Sequence, residues 1–445
     1  MLSPNVDTIA AIATAQGRGG VGVVRISGVA SPRIALELLG DLPKPRFAKY
    51  GSFFDAQGQV IDQGIALYFV APHSYTGENV LELQGHGGTA VLQLLLQRCI
   101  ELGARLAEPG EFTQRAYLNN KLDLAQAESV ADLIEATTTE AARSAIRSLQ
   151  GDFSAEIHNL VDEITSLRML VEAMLDFPEE DIEAVDATRR DVQLQQVQAK
   201  LDNTLQSAKQ GSLLREGAHI VLVGRPNVGK SSLLNKLSGH DVALVSDVPG
   251  TTRDVIRQAI QIRGVPLHII DTAGLRESQD SVENMGIART YQTLQRADLI
   301  LLLLDANQNI TAQDEDILAL LPAEIPRLQV FNKADLLASE RDELPANSIY
   351  VSAKTGAGIE ALRDKLLELV GWRNQESGAF MARTRHLLAL SLAQDHLASA
   401  NKVGDNPELF AEELRLVQQA LSSITGEFTA DDLLGEIFSR FCIGK

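Results

Sequence analysis

Cysteines and long apolar runs are scarce in this sequence, and each shortage excludes a class of protein. Two cysteines, Cys99 and Cys442, cannot form a disulfide framework or a cysteine-based metal site. Eight scattered histidines show no HxxxH pattern, so we do not expect a structural metal. The longest apolar run, 299–304, is far shorter than the ~18 residues of a membrane span and suits a buried parallel strand. Residues 1–5 lack a basic segment leading into an apolar one, so we expect no secretory signal and a cytoplasmic location.

Positive charge is also in short supply. The net charge of −19 argues against a protein that coats nucleic acid non-specifically. Residues 1–120 hold nine Lys/Arg and ten Asp/Glu, so the other 325 residues carry −18. Any surface that meets RNA is therefore expected in the N-terminal third. The length of 445 residues and the ordinary apolar fraction of 45% indicate a globular protein of two to four domains.

The octapeptide 224–231, GRPNVGKS, fits the phosphate-loop pattern G-x-x-x-x-G-K-S. An apolar run, 219–223, precedes it and a helical pattern, 232–237, follows it, which is the context that the motif requires. Backbone N–H groups of such a loop face an anion, Lys230 places a charge near the β- and γ-phosphates, and the Ser231 hydroxyl can bind Mg²⁺. An ordinary glycine turn is the alternative.

Two further motifs follow predicted strands. DTAG at 271–274 comes after 267–270; its Asp271 can approach the metal through water and its Gly274 the γ-phosphate. NKAD at 332–335 comes after another apolar run. The carboxylate of Asp335 can accept two hydrogen bonds from guanine, whereas adenine would leave it unpaired, a difference of roughly 10⁴-fold.

A fourth motif, SAK at 352–354, follows the predicted strand 349–351 and is typical of the backbone lid over the base. Four motifs in this order, each at the carboxyl end of a predicted parallel strand, indicate a GTPase of the Ras-like α/β class with a mostly parallel sheet.

The residue after DTAG is Leu275, which cannot orient the attacking water as the glutamine of small GTPases does. Asn227 is a carbonyl donor close to the β/γ bridge, and 246–251 can add backbone oxygens. Together they would form a cage for a monovalent cation, and K⁺ there would stabilise the charge on the leaving oxygen. Glu283 is a candidate to orient water through a bridging molecule; a solvated helix carboxylate is its equal alternative.

The chain divides into four predicted segments. Residues 1–120 indicate an α+β domain, 121–215 a set of helices, 216–375 the GTPase domain, and 376–445 helices again. Each helical segment has apolar stripes that need a partner. We therefore expect one discontinuous helical domain into which the GTPase domain is inserted.

A glycine-rich stretch near the N-terminus, 17–22, matches the dinucleotide pattern G-x-G-x-x-G. It precedes a predicted strand instead of opening a helix, so we reject a dinucleotide site. A tight hairpin and a contact of Arg18 and Arg25 with an anionic ligand remain equal alternatives.

Two more polar stretches, 74–78 and 84–88, are predicted to be turns beside the strand residue Glu82. Lone residues such as Glu82 and His86 are more often structural than functional.

Taken together, several stretches closely resemble the MnmE (TrmE) family of tRNA modification GTPases: 17–22, 75–78, 84–88, 121–128 (KLDLAQAE), 271–276 and 441–445 (FCIGK). The terminal CIGK and the early GRGG are specific to that family, whereas the GTPase motifs are shared widely. The resemblance spans the whole chain.

This resemblance implies a homodimer that acts on tRNA with an FAD-dependent partner, MnmG (GidA), which alone carries the FAD. The pair would install a carboxymethylaminomethyl or aminomethyl group at C5 of the wobble uridine of certain tRNAs. The one-carbon donor would be 5-formyl- or 5,10-methylene-tetrahydrofolate, bound by an N-terminal domain that resembles a folate-binding fold and dimerises. Its implied contacts are Arg25, Glu82, Lys121 and Lys445.

The resemblance also implies the residues of the GTPase site. Mg²⁺ would be bound by Ser231 and Thr252, and K⁺ by Asn227 with the backbone of Ser246, Val248 and Thr251. Candidate catalytic residues are Asn227, Lys230, Asp271, Glu283 and Cys442. For Cys442 a nucleophile competes with a packed small residue. The implied GTP contacts are Asn227, Val228, Gly229, Lys230, Ser231, Ser232, Ser246, Asp247, Val248, Pro249, Gly250, Thr251, Thr252, Asp271, Thr272, Ala273, Gly274, Asn332, Lys333, Asp335, Ser352, Ala353 and Lys354.

Two other functions are weighed against this one. An Era-like ribosome-assembly GTPase needs an appended RNA-binding motif and a basic C-terminal domain, but this C-terminus is acidic and helical. A membrane-remodelling GTPase needs a basic amphipathic surface, which the sequence lacks. We expect neither a membrane nor a DNA partner, and tetrahydrofolate binding would separate the first function from both rivals.

Overall fold

The computed structural model describes residues 7–15, 17–176, 183–238, 257–271, 297–308, 310–337, 345, 347–373, 379–427, 431–439 and 441–444. The chain forms two compact units. The first comprises Met1–Ala131, Ser148–Leu194 and Asp395–Lys445, and the second comprises Asp132–Arg147 and Gln195–Gln394. Among the described helices, none combines the length and the apolar character that crossing a bilayer requires.

The first unit contains a six-stranded sheet in the order β3-β4-β5-β2-β1-β6, antiparallel except for the β1–β6 pair. Its strands are β1 (Ile9–Ile12), β2 (Gly19–Ser27), β3 (Lys49–Phe54), β4 (Val60–Phe69), β5 (Val80–Gly87) and β6 (Arg105–Leu106). Helices α1 (Ser31–Leu39) and α2 (Thr89–Glu101) cover the face that carries Ile26 and Leu83. Because side chains alternate along a strand, Arg25 and Glu82 lie on the opposite face.

Five helices follow this sheet along the chain: α3 (Glu111–Leu118), α4 (Leu124–Glu135), α5 (Thr139–Gln150), α6 (Asp152–Asp176) and α7 (Glu183–Glu216). Helix α3 packs Phe112 against Ile9 and Ala11 on the sheet face that α1 and α2 leave open. The predicted α+β character of the N-terminal domain is confirmed.

The second unit contains a second six-stranded sheet, in the order β12-β11-β10-β7-β9-β8. Its strands are β7 (Ala218–Val223), β8 (Arg257–Ile262), β9 (Val265–Asp271), β10 (Leu299–Asp305), β11 (Arg327–Asn332) and β12 (Ser348–Tyr350). The helices described beside them are α8 (Lys230–Ser238), α9 (Ala312–Leu320) and α10 (Ile359–Leu369). Only β8 runs antiparallel to its neighbour among these described strands. Leu233 of α8 and Leu366 of α10 pack on one face and Ile317 of α9 on the other. The predicted mostly parallel α/β domain is confirmed.

Three helices are described after the GTPase domain: α11 (Thr384–Lys402), α12 (Pro407–Thr425) and α13 (Asp431–Ser439). Helix α12 packs along α6, where Arg168 donates to Gln418 Oε1 at 2.8 Å. A helix that precedes the GTPase domain thus pairs with one that follows it, which confirms the discontinuous helical domain. The boundaries drawn at 120, 215 and 375 stay predictions.

Candidate functional site

The phosphate loop joins β7 to α8, as the motif predicts. Asn227 (φ 65°) and Gly229 (φ 99°) both adopt left-handed backbone conformations, which asparagine and glycine tolerate best. A Cβ at Gly229 would lie 2.3 Å from Nδ2 of Asn332, so the close approach of the loop to that side chain requires glycine. Lys230 Nζ donates to Gly224 O at 2.7 Å, which curls the loop around the ammonium group.

Asn332, at the end of β11, links three of the four motifs. It is 3% exposed, and its Nδ2 donates to Val228 O in the phosphate loop at 2.8 Å. Its Oδ1 accepts from the backbone N–H of Ala353 at 3.0 Å. The asparagine of NKAD therefore holds the phosphate loop and the SAK loop in one arrangement.

The guanine-reading carboxylate is oriented by the SAK loop. The buried Ser352 donates its hydroxyl to Asp335 Oδ1 at 2.6 Å and accepts from Thr355 N at 3.1 Å. Asp335 itself is exposed, as is Lys354 two residues after Ser352. This carboxylate is thus fixed in direction while it keeps an open side for a ligand.

Asp305, at the end of β10, is a site residue that the sequence reasoning missed. Its Oδ2 accepts from Lys333 Nζ at 2.7 Å, next to the Asn332 junction. Burial acts to raise the pKa of Asp305, but the hydrogen bonds from Lys333 and from the Asn307 N–H outweigh it, so this pKa is lowered overall. Its signal was available, since Asp305 follows a buried parallel strand as the other site residues do.

Arg225 anchors the phosphate loop from outside and was also missed. Its Nε donates to Asp314 Oδ1 at 2.9 Å, and Nη2 donates to Gln308 at 3.0 Å. Asp314 is buried and forms a capping box with Thr311 at the start of α9. The phosphate loop is therefore hydrogen-bonded to α9, which packs on the face of the sheet opposite α8.

The remaining predicted GTPase residues divide into two groups. Asp271 lies at the end of β9 opposite Leu222 of β7, beside the phosphate loop, and Ser231 and Ser232 are exposed at the start of α8. The other predicted residues lie outside the described part of the chain: Ser246, Asp247, Val248, Pro249, Gly250, Thr251, Thr252, Thr272, Ala273, Gly274, Leu275 and Glu283.

The predicted folate residues of the N-terminal domain are partly brought together. Arg25 and Glu82 are register partners on β2 and β5, and Nε donates to Oε1 at 2.9 Å. The Arg25 Cζ lies 5.5 Å from the ring centroid of Tyr75 and 5.7 Å from that of Phe112. The arginine of this pair is therefore packed against two aromatic rings, on the sheet face opposite α1 and α2.

Lys121 and the chain end approach the same domain. The Cβ that Gly77 lacks would lie 3.3 Å from Lys121 Cγ, and Lys121 borders a cleft of about 460 Å³. Ile443 bridges to Pro109, and a Cβ at Gly444 would lie 2.4 Å from Ile12 O. Lys445 itself lies outside the described residues.

The two cysteines differ in access. Cys99 is fully buried, and burial raises the pKa of its thiol to about 12, so it stays protonated. Cys442 is exposed in the segment that packs against the N-terminal domain. A packed position for Cys442 is therefore wrong, and its role as a nucleophile stays a prediction.

A buried ion-pair network supports the loop 74–78. Arg115 is 2% exposed and contacts Asp7, Glu78 and Glu111 at 2.8 to 3.1 Å. Glu78 also accepts from the hydroxyl of Ser27 at 2.7 Å. The loop that carries Tyr75 is thus fixed to α3 and β2.

The prediction that 84–88 forms a turn is wrong, because β5 continues to Gly87. Its glycines serve close packing and not a change of direction. A Cβ at Gly85 would lie 2.4 Å from Asp62 Oδ2, and one at Gly87 would lie 2.5 Å from Gly19 O. Glycine at these positions lets neighbouring groups approach the strand directly.

Comparisons with known proteins cover the chain almost completely. Two family models match: GTP-binding protein TrmE N-terminus over residues 8–121 and MnmE helical domain over residues 124–442. The tRNA modification GTPase MnmE of Nitrosospira multiformis is 60% identical, with 99% of each chain covered. The protein of the same name from Nitrosomonas eutropha is 58% identical, with 99% of this chain and 100% of that protein covered. Aquifex aeolicus Era, a solved structure, is 27% identical over 40% of this chain and 66% of that chain, with a TM-score of 0.29, too low to support an inference.

Proposed function

The chain belongs to the MnmE family of tRNA modification GTPases, and on that premise we propose a K⁺-activated GTPase that acts with an FAD-dependent MnmG partner on tRNA. The product would carry an aminomethyl or carboxymethylaminomethyl group at C5 of the wobble uridine, with the carbon supplied by tetrahydrofolate. We also propose a homodimer in the cytoplasm. The observation that carries the proposal is the match of both family models along one chain that contains an assembled nucleotide site.

The residues of the nucleotide site fit GTP. Asp335, directed by Ser352, is the acceptor for the guanine N–H edge, and Asn332 keeps the phosphate loop at a fixed distance from it. Lys230 would exchange its bond to Gly224 O for the phosphates, where its charge is needed. Mg²⁺, when bound by Ser231 and Thr252, would neutralise charge on the phosphates.

Asn227 fits the proposed K⁺ site as far as the described residues reach. Asn227 is exposed, and its backbone adopts the left-handed conformation at φ 65°. The backbone of Ser246, Val248 and Thr251 and the water-orienting Glu283 complete this proposal. We expect Asn227→Ala, or K⁺ replaced by Na⁺, to lower the GTP hydrolysis rate about tenfold or more, because charge on the leaving oxygen is then uncompensated. Equal rates in K⁺ and Na⁺ would contradict the cation site.

The pair of Arg25 and Glu82 fits the proposed folate. A half-buried carboxylate is the acceptor that the amino-pyrimidone edge of a pterin needs, the same kind of edge that Asp335 meets in guanine. The rings of Tyr75 and Phe112 pack against the guanidinium group of Arg25, and Phe112 is fully buried. We expect Glu82→Gln to lower tetrahydrofolate affinity by about 10- to 100-fold in calorimetry, since one acceptor becomes a donor. A GTPase without a folate role would show no binding in the unaltered chain.

The decisive test is nucleoside analysis of tRNA from cells that lack this chain. Wobble uridines should lose the C5 group, and a copy carrying Asp271→Ala should fail to restore it. An unchanged nucleoside profile in the deletion would remove the modification claim and leave a GTPase alone.

A further inference from the structure

Residues 44–50 of the N-terminal domain form an exposed segment that combines positive charge with aromatic rings. The segment holds Lys44, Arg46 and Lys49 in a chain of net charge −19, and no Asp or Glu occurs from 42 to 54. Phe47 is 58% exposed and Tyr50 is 71% exposed, and no other Phe, Tyr or Trp of the described residues is as exposed. The segment therefore differs in charge and in surface character from the acidic remainder of the chain.

Two of these three cations keep their charge free for a ligand. Lys49 pairs with Asp41, whereas neither Lys44 nor Arg46 forms an ion pair with any residue that the structure describes. Both of these side chains belong to exposed residues. Lys44 Nζ lies 4.3 Å from the centroid of the Phe47 ring, so the lysine covers one face of a ring that is otherwise largely open to solvent.

A tight turn presents Arg46. The N–H of Phe47 donates to Lys44 O at 3.1 Å, Pro45 occupies the second position of the turn, and Arg46 occupies the third at φ 63°. Proline followed by a positive φ is the signature of a type II turn, whose third position favours glycine or asparagine. An arginine held in this conformation indicates that its side chain is needed there.

The turn is fixed to the sheet and not loose. The N–H of Arg46 donates to Tyr68 O of β4 at 2.8 Å, and Pro43, just before the segment, is buried. The guanidinium group also donates from Nη2 to His73 O at 3.2 Å. This last bond gives Arg46 a possible structural role, which the test below separates from a role in binding.

Tyr50 lies on the sheet face that carries Arg25 and Glu82. Phe53 of the same strand packs in the core beneath α1 and α2, and side chains alternate along a strand, so Tyr50 points to the opposite face. Tyr50 pairs with Ile65 of β4, which pairs with Gln84 of β5. Two strand spacings across and two residues along the strand place the Tyr50 Cα about 12 Å from that of Glu82.

We propose that residues 44–50 bind unpaired nucleotides of the RNA substrate. The rings of Phe47 and Tyr50 stack on bases, and Lys44 and Arg46 contact the phosphates between them. A base stacked on Tyr50 lies on the same sheet face as the proposed carbon donor. The inference rests on the proposed function, because the RNA that it places here is the tRNA whose wobble uridine is modified.

The charge of the chain favours RNA as the occupant of this surface. An acidic protein repels a polyanion over most of its surface, so RNA must meet it where cations collect without carboxylates. Aromatic rings interleaved with such cations are the arrangement that binds single-stranded nucleic acid. A second copy of this acidic chain is the other occupant that the cations would accept, and the test measures it as well.

The test measures binding of a fluorescein-labelled anticodon stem–loop RNA to the full chain by anisotropy. We expect Phe47→Ala and Tyr50→Ala each to weaken binding at least about 5-fold, because each removes a stacking surface. Arg46→Gly should also weaken binding, and it should lower the slope of log affinity against log salt by about one, since one phosphate contact is lost. A blunt RNA duplex of the same stem offers no unpaired base, so Phe47→Ala should not change its affinity.

Arg263→Gly is the matched control for Arg46→Gly. Arg263 is exposed in the turn between β8 and β9, at φ 50°, and pairs with Asp364. Glycine suits both backbone conformations, so both variants should fold. Arg263→Gly should leave RNA affinity and its salt slope unchanged, and GTP hydrolysis should persist in Arg46→Gly.

Three results would overturn the inference. The first is stem–loop affinity that is absent in the unaltered chain or unchanged in Phe47→Ala and Tyr50→Ala. The second is an Arg46→Gly variant whose melting temperature falls while its RNA affinity stays native, which would make Arg46 a structural residue of the turn. The third is sedimentation of Phe47→Ala and Tyr50→Ala as monomers where the unaltered chain is a dimer, which would assign the surface to a second copy.

Failure of the proposed function is a separate result. If cells that lack this chain keep the C5 group on their wobble uridines, the tRNA substrate is removed and this inference with it. If those cells lose the C5 group while any of the three results above is found, the proposed function stands and the inference alone is overturned.

Discussion

Asn332 is one buried side chain that joins the phosphate loop and the SAK loop of the nucleotide site. Replacing it by alanine removes two hydrogen bonds and leaves Val228 O and Ala353 N without those partners. Each buried group left unpaired costs about 1–3 kcal/mol. We expect Asn332→Ala to weaken GTP and GDP binding at least about 30-fold in titration calorimetry.

Asn235, exposed on α8, is the matched asparagine. Alanine there should leave nucleotide affinity unchanged. An Asn332→Ala variant with native affinity would show that the two loops keep their positions without this link.

Asp335 gives a sharper prediction about the base. Asp335→Asn replaces an acceptor by a donor, which suits the carbonyl of xanthine and repels the amino group of guanine. We expect preference to move from GTP to XTP by about 10⁴-fold, measured as competing nucleotide affinities. Ser352→Ala should weaken GTP binding without this exchange of preference, because Ser352 only directs the carboxylate.

At this scale the sequence predicted which residues bear chemistry but not which residues hold them. Motif spacing located Lys230, Asp271 and Asp335, since each follows a predicted strand. The hydrogen bonds that hold these motifs in place could not be predicted, because their partners are distant along the chain. Asn332 and Val228 are 104 residues apart, and Arg225 and Asp314 are 89 residues apart. A periodic pattern reports local structure and carries no information about such pairs.

Secondary-structure elements were likewise predicted correctly where the local sequence determines them, and wrongly where packing against distant residues does. The strands before the GTPase motifs lie where the sequence pattern predicts them. The segment 84–87 does not, because its glycines resemble a turn while close approach by Asp62 and Gly19 makes them part of β5. The capping box of α9 has Asp314 in place of the usual glutamate, so the start of that helix does not match the usual sequence signal.

The network at the start of α3 yields a prediction about stability and pH. Arg115→Met leaves Glu78 and Glu111 without their buried partner, and breaking a buried pair costs about 3–5 kcal/mol. We expect the free energy of unfolding of the first unit to fall by that order in urea titration at pH 7. Arg415→Met, on an exposed pair within α12, should change it little.

The lowered pKa of Glu111 decides how the stability of this unit changes with pH. Burial acts to raise the pKa of Glu111, but hydrogen bonds from Arg105, the Glu108 N–H and Arg115 lower it below 4.5. Its stabilisation is therefore present above pH 4.5 and is lost as pH falls through the lower folded value. The unaltered chain should lose stability in that acid window, and Arg115→Met should show a shallower loss. Parallel curves for the two proteins would contradict this assignment.

At the scale of the whole molecule, the described residues 443 and 444 pack within the first unit against segments near the start of the chain. Pro109 bridges to Ile443, and Gly444, at φ 97°, passes against Ile12 of β1. These contacts join residues more than 300 positions apart, which no local sequence pattern can predict. The family resemblance alone suggested that the end of the chain belongs to the N-terminal site, through Lys445.

Gly444→Ala tests whether this packing serves the folate site. Its Cβ would lie 2.4 Å from Ile12 O, and the left-handed backbone costs an L-residue about 1 kcal/mol besides. The tail should leave β1, and we expect tetrahydrofolate affinity to fall at least about tenfold. GTP hydrolysis should persist, because the nucleotide site lies in the second unit. Gly58→Ala carries the same backbone strain, at φ 76°, with nothing within 4 Å of the added methyl. If both variants bind tetrahydrofolate as the unaltered chain does, the packed tail contributes nothing to that site. If both lose it equally, backbone strain and not displacement of the tail is the cause.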